Sequence, residues 1–176
     1  MSKVEVVPYD PAWRTAFKAE ARVVADAMGE NLMAIHHIGS TSIPGIYAKP
    51  VIDILVEVSN INYVDNAGAA MELLGYEVMG EFGIEGRRYF RKDRSAGMRT
   101  HQIHTFQTGS PHIQRHLAFR DYLIAHPTDA LAYSDLKRRL VRENGGDTEL
   151  YMDGKDDFIR ETDRKASAWL SRQRGG

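Results

Sequence analysis

Val51-Ile52-Asp53-Ile54-Leu55-Val56-Glu57-Val58 is the stretch on which the fold turns. Side chains alternate across a strand. Ile52, Ile54, Val56 and Val58 therefore share one face and read as core, while Val51, Asp53, Leu55 and Glu57 share the other. A carboxylate in the middle of a strong strand is costly unless it is paired, hydrogen-bonded or metal-bound. Two readings of Asp53 stand at this point: a structural partner for a turn or an arginine, or a member of a site.

The residues leading into that strand are His37-Ile38-Gly39-Ser40-Thr41-Ser42, then Ile43-Pro44-Gly45 and Lys49-Pro50. Leu32 to Ile38 reads as a strand that runs into a hydroxyl-rich loop. Gly39 lets backbone approach a ligand closely, and the amides and hydroxyls of Ser40, Thr41 and Ser42 can hold phosphate oxygens. The same composition also makes an ordinary loop. The Gly-Lys-Ser/Thr ending of a P-loop is absent. Lys49, at the mouth of the Asp53 strand, is a candidate phosphate contact.

Further out the chain mixes strands and helices. Val4 to Val7 reads as an edge strand, and Asp10-Pro11 as the cap and first position of a helix over Ala12 to Met28. Asn62 caps a helix to Leu74, and Tyr76 to Phe82 pairs antiparallel with Arg87 to Lys92. Arg99 to Phe106 is a further strand, which follows a loose Asp93 to Met98 segment. Three helices follow, opened by Ser110-Pro111, Thr128 and Asp153. The expected architecture is one α/β (α+β) domain over residues 1–176, with a mixed sheet, packed helices and a helical C-terminal third.

Composition sets limits on function. The chain has 176 residues and a formal net charge of -1, so no global charge draws it to nucleic acid or an anionic membrane. It has no cysteine, which leaves His, Asp and Glu as side-chain metal ligands. No apolar run approaches the roughly 20 residues of a membrane helix. The N-terminus lacks the apolar core of a signal peptide, and a cytoplasmic address is expected.

On the Arg99 to Phe106 strand, Gln102 and His104 share one face and His101 takes the other. Arg87, Arg88, Arg91, Lys92, Arg94 and Arg99 form a basic set. Arginine suits bidentate phosphate contact, which makes Arg91 a candidate, although most of the set reads as the solvated face of a hairpin. His112, Arg115, His116, Phe119 and Arg120 line one side of a helix, which either closes over the site or faces water.

Taken in order, these motifs resemble the GrpB family. The matching stretches are His37 to Gly45, Lys49 to Val56, Arg88 to Lys92, Arg99 to His104, His116 to Leu123, and Tyr151 to Ile159 with Lys155 and Phe158. That family is similar to the nucleotidyltransferase fold. In that fold a Gly-Ser motif at a helix start holds triphosphate, and two carboxylates spaced by one residue, with a third from a later strand, hold Mg²⁺. A related domain occurs fused to dephospho-CoA kinase, which implies a nucleotide or coenzyme A connection by analogy.

The resemblance places catalysis on Asp53 and His104, phosphate binding on Gly39, Ser40, Thr41, Ser42, Lys49 and Arg91, and metal binding on Asp53, Glu57 and His104. It departs from the superfamily pattern at Leu55, which stands where the second carboxylate belongs. Glu57 is one strand repeat further, about 7 Å from Asp53 along the backbone. Mg²⁺ prefers oxygen donors, so a two-Mg²⁺ engine looks impaired, while an Asp–His set would suit Mn²⁺ or Zn²⁺ better. The expected cofactor is Mg²⁺ or Mn²⁺ ahead of Zn²⁺. The expected partner is a nucleotide or other phosphorylated small molecule, with no membrane and no bulk nucleic acid. Three functions follow in order: metal-dependent nucleotidyl transfer, a non-catalytic nucleotide- or CoA-related binding module, and a hydrolase drawing ligands from His37, Asp53, His101 and His104.

Overall fold

The computed structural model describes residues 3–175 and divides into two compact units. One is Pro11–Gly39 with Val51–Gln114, and holds the sheet. The other combines the N-terminal stretch up to Asp10, Ser40–Pro50, and the chain from Arg115 on, and is mostly helical.

The sheet unit contains α1 (Ala12–Met28), β1 (Leu32–Ile38), β2 (Ile52–Val58), α2 (Gly68–Leu73), β3 (Glu77–Val78), β4 (Arg88–Arg94) and β5 (Met98–Gln107). Strand order is β1-β2-β5-β4-β3. β2 and β5 pair parallel, and the other pairings are antiparallel, so the sheet is mixed as expected. Ile52, Ile54, Val56 and Val58 are all buried, which fixes which face of β2 is core. α1 packs on that face: Phe17 stacks on His37 with ring centroids 4.8 Å apart, and Glu20 reaches Lys92 and Tyr76. The opposite face carries Asp53.

Several expected boundaries move, each for a local reason. α1 is not among them: it keeps the expected Ala12–Met28 range, with Pro11 as its N-cap residue. In place of a Val4 to Val7 strand there are isolated bridges at either end, Lys3 to Asp147 just before it and Val7 to Ala48 at its close. Asn60, not Asn62, caps the next segment, its side chain accepting the Asn62 N–H at 3.0 Å. That segment starts as a 3-10 helix, Ile61–Ala67, and only then becomes α2. β3 shrinks to two residues, β4 runs on to Arg94 and β5 starts at Met98, so the stretch read as loose narrows to the 3-10 turn Ser95–Gly97.

α3 (Pro111–Ala125) opens in the sheet unit, where the His112 N–H donates to Ser110 Oγ at 3.3 Å. The helical unit continues with α4 (Pro127–Asn144) and α5 (Thr148–Gly175). His126 is the residue before α4 and Pro127 its first position, so Thr128 is not the cap. Gly145 stops α4 in the left-handed region at φ 60°, its N–H bonded to Val141 O. α5 starts well before Asp153, because Asp147 comes first and accepts the Leu150 N–H at 2.9 Å. The core of this unit is Ile43, Ile46, Tyr122, Leu123, Tyr133 and Ala166, with Phe119, Phe158 and Trp169 against it. Phe119 is thus a packing residue. Among the described residues no helix is long and apolar enough to cross a membrane.

Candidate functional site

Sheet register gathers the site. Asp53 on β2 lies opposite Gln102 on β5, and Leu55 opposite His104. Across the next ladder His104 lies opposite Tyr89, and Gln102 opposite Arg91. Directly paired residues point to the same side. One face of three adjacent strands therefore collects Asp53, His104, Gln102, Tyr89 and Arg91, the parity expected for Asp53, Gln102 and His104.

On that face His104 Nε2 stands 3.5 Å from Asp53 Oδ1. Its other nitrogen, Nδ1, is 3.3 Å from an Arg87 guanidinium nitrogen. A guanidinium only donates, so Nδ1 must accept, and in the neutral ring the proton sits on Nε2, facing Asp53. Arg87 is itself fixed by donating to the carbonyls of Glu81 and Phe82, at 3.2 and 2.8 Å. The order is a chain: backbone carbonyls hold Arg87, Arg87 holds His104, and His104 presents N–H to the carboxylate.

An aromatic shelf adjoins this chain. Tyr89 lies 5.5 Å from His104 between ring centroids, and Arg87 sits 4.8 Å over the Tyr89 ring. Phe82 stacks on Tyr89 at 5.3 Å, and Arg91 covers Phe82 at 5.5 Å. Phe82 is 52% exposed and has φ 46°, a backbone conformation that bulky L-residues seldom adopt. An exposed aromatic held in that conformation is costly on two counts, which marks it for a role outside packing. Burial pushes the Tyr89 phenol above its ordinary pKa, and the charges of Arg99, Asp53, Arg91 and Arg87 act on it in both directions. Burial also lowers Arg87, which is only 7% exposed.

Gly39 closes the site along the chain. Its φ is 74°, and a β-carbon there would lie 2.6 Å from Asp53 Oδ2 and 3.0 Å from Asp53 Cβ. Backbone approaches the carboxylate here as only glycine permits.

The remaining sequence candidates fall elsewhere or are already engaged. Glu57 is on the Asp53 face but bonds His36 Nε2 at 2.6 Å, across the β1–β2 pair. Arg91 is not solvated: it forms a fork with Glu77 at 3.0 and 3.3 Å, which holds its guanidinium above the usual range. Arg88 pairs with Asp65, Arg99 with Asp93 and Lys92 with Glu20. The basic set is thus largely neutralised by partners, and Arg87 is buried, against the reading of a solvated hairpin. His37 and His101 lie on the α1 side, His101 near Glu20 and Tyr76, away from Asp53 and His104. That separation removes the histidine hydrolase.

Ser40, Thr41 and Ser42 form a 3-10 turn in the helical unit, with Thr41 buried and the Ile43 N–H donating to Ser40 O at 3.1 Å. Lys49, also there, is half-buried next to the Ala48 bridge. His112 stacks on Phe106 at 4.9 Å, and Arg115 faces Asp163 at 3.9 Å.

Among the described residues no group of three or more His, Asp and Glu could hold a metal ion. Glu57 is spent on His36, and His104 offers Nδ1 to Arg87. Among the described residues of this face, Asp53 has the oxygen donors that a Mg²⁺ or Mn²⁺ ion prefers.

Reading from sequence missed Arg87, Tyr89 and Phe82. The period-two spacing of Arg87, Tyr89 and Arg91 was the available signal for two of them. Phe82 gave no signal, because its importance comes from a turn conformation.

Comparison with known proteins follows from this geometry. The family described as GrpB protein matches residues 3–165. The chain is 43% identical over 167 residues to UPF0157 protein YqkA of Bacillus subtilis, covering 95% of this chain and 48% of that protein. It is 27% identical over 189 residues to dephospho-CoA kinase of Mycolicibacterium paratuberculosis, covering 94% of this chain and 46% of that one. It therefore spans about half the length of these two curated relatives. Conserved protein GrpB from Enterococcus faecalis superposes with TM-score 0.88 at 42% identity, over 94% of this chain and 99% of that chain. Cid1 in complex with the UTP analog UMPNPP gives 0.53 at 9% identity, over 78% and 43%, a likeness of fold.

Proposed function

Because the chain belongs to the GrpB family, we propose that it binds a nucleotide or other phosphorylated small molecule at the sheet face around Asp53. The observation that carries this is the exposed Phe82 ring, stacked on Tyr89 and flanked by Arg87 and Arg91, beside the Asp53–His104 pair. An open aromatic edged by guanidinium groups suits a base stacked next to phosphate. Arg91 would exchange Glu77 for phosphate oxygens, since Glu77 is itself exposed. The phosphate-holding role expected of Gly39, Ser40, Thr41, Ser42 and Lys49 belongs to the same proposal, as does a cytoplasmic address. The ligand named with Cid1 and the dephospho-CoA kinase relative make UTP, ATP and dephospho-CoA the first compounds to try.

Isothermal titration with each compound, with and without Mg²⁺ or Mn²⁺, tests this. Binding is expected, and Phe82→Ala should weaken it by roughly 1–3 kcal/mol, the loss of one base–aromatic stack. Ser40→Ala should weaken it as well. No binding under any of these conditions would sink the reading.

Leu55 separates binding from transfer. It is 0% exposed and apolar where the superfamily pattern has its second carboxylate. That favours a module that binds without nucleotidyl transfer. In the transfer reading Asp53 would contact the metal that arrives with the phosphates, and His104 would serve as its hydrogen-bonded neighbour. Incubation with nucleotide labelled at the α-phosphate should give no product. Turnover that disappears in Asp53→Asn would reinstate the transferase.

A further inference from the structure

Lys137 on α4 is 1% exposed, and its ammonium nitrogen has no hydrogen-bond partner. A buried cation without acceptors is among the costlier arrangements a protein can hold. Nothing in the Asp53 site uses it. It lies 4.3 Å over the ring of Tyr133, one helical turn earlier on α4. On α5 the same pattern repeats: Lys155 lies 4.8 Å over Tyr151, one turn before it. Tyr151 is buried.

Two contacts fix how these helices run. Tyr133 stacks on Phe158 at 5.1 Å between centroids and 6° between planes. Further along α4, Leu140 meets α5 at Gly154, where an added β-carbon would collide with the leucine side chain. Residue numbers rise along one helix as they fall along the other, so α4 and α5 are antiparallel. Lys137 and Lys155 each lie between the two crossing points. Gly154 allows the close approach there.

We propose that Lys137 and Lys155, each lying over a tyrosine ring, form an oxyanion site between α4 and α5 that takes a phosphate group. The Lys155 charge acts on Lys137, and an oxyanion taken up between the helices offsets it and gives the buried nitrogen its missing acceptors. Burial first, and then the Lys155 charge, bring Lys137 down to about 7. Near neutral pH the empty site therefore holds a mixture of amine and ammonium, and an arriving anion selects the ammonium. Lys137 faces the Tyr133 ring and feels the Lys155 charge, Lys155 faces Tyr151, and burial keeps the Tyr151 phenol neutral.

Lysines labelled with ¹³C at Cε give the test, with the full chain titrated in the presence and absence of inorganic phosphate. The Lys137 midpoint should rise by at least one pH unit in phosphate relative to chloride at equal ionic strength. Phosphate affinity should fall at least tenfold in Lys155→Met, with the fold checked by circular dichroism. An unchanged Lys137 midpoint, or equal phosphate affinity in the Lys155→Met protein, would overturn the site. The probe is inorganic phosphate and the readout is Lys137 itself, so the result stands apart from whether nucleotide binds at Phe82.

Discussion

Gly39 and Asp53 are packed so closely that no β-carbon fits at residue 39: it would lie 2.6 Å from the carboxylate oxygen and 3.0 Å from Asp53 Cβ. The backbone there is also left-handed, with φ 74°. Gly39→Ala therefore carries two penalties, a strained φ and a displaced Asp53. We expect a loss of ~1–3 kcal/mol in urea unfolding. Displacement of Asp53 from His104 should also abolish ligand binding. An alanine variant with wild-type stability and binding would mean that the carboxylate can move freely.

Arg87 sets the tautomer of His104. Removing its guanidinium takes a donor from two carbonyls, those of Glu81 and Phe82, and unties the turn they belong to from the sheet. Arg87→Met should lower stability by ~2–4 kcal/mol. It should also release the imidazole proton to either nitrogen. Ring ¹⁵N shifts check this: the native protein should show His104 protonated at Nε2, and the variant a mixture. The same spectrum in both would show that Arg87 does not hold the ring.

Lys137 makes stability depend on pH with a defined sign. Its folded pKa, about 7, lies below the unfolded value near 10.5. Between those limits the unfolded chain binds more protons, so the native state gains stability as pH rises. Lys137→Met removes the effect. The variant should be more stable than the native chain at pH 7, by ~2–4 kcal/mol, and the gap should close as pH approaches 10.5. A constant gap between pH 7 and 10.5 would contradict a depressed lysine.

The expectation of one domain can be measured with the two tryptophans. Trp13 lies in the sheet unit and Trp169 in the helical unit. Neither unit is continuous in sequence, because the chain passes between them after Asp10, Gly39, Pro50 and Gln114. Single-tryptophan variants, Trp13→Phe and Trp169→Phe, should report the same denaturant midpoint. Separate midpoints would make the units independent folding bodies.

Period-two patterning made the sheet legible. The alternation in Ile52 to Val58 and in Gln102 to His104 assigned faces correctly, and the structure's register then brings Asp53 and His104 together. Caps were less legible, because Asp10, Asn62, Thr128 and Asp153 are competent capping residues and position alone decides which one is used. The partners of Glu57 and Arg91 were hidden for a different reason. Those partners, His36 and Glu77, come from neighbouring strands, and no single-strand pattern reveals a cross-strand ion pair. Arg87 read as hairpin surface because its burial depends on the turn at Glu81 and Phe82, which bends back over the sheet.

The parallel pairing of β2 with β5 has a kinetic consequence. Strands that lie side by side in the same direction cannot be joined by a short turn, and here the whole β3–β4 excursion lies between them in sequence. The chain must close that long loop before Asp53 meets His104, and such non-local closure slows folding. Newly made protein should therefore acquire its helices early, well before it can recognise any ligand, and β2 should spend that interval with an open edge exposed to other chains.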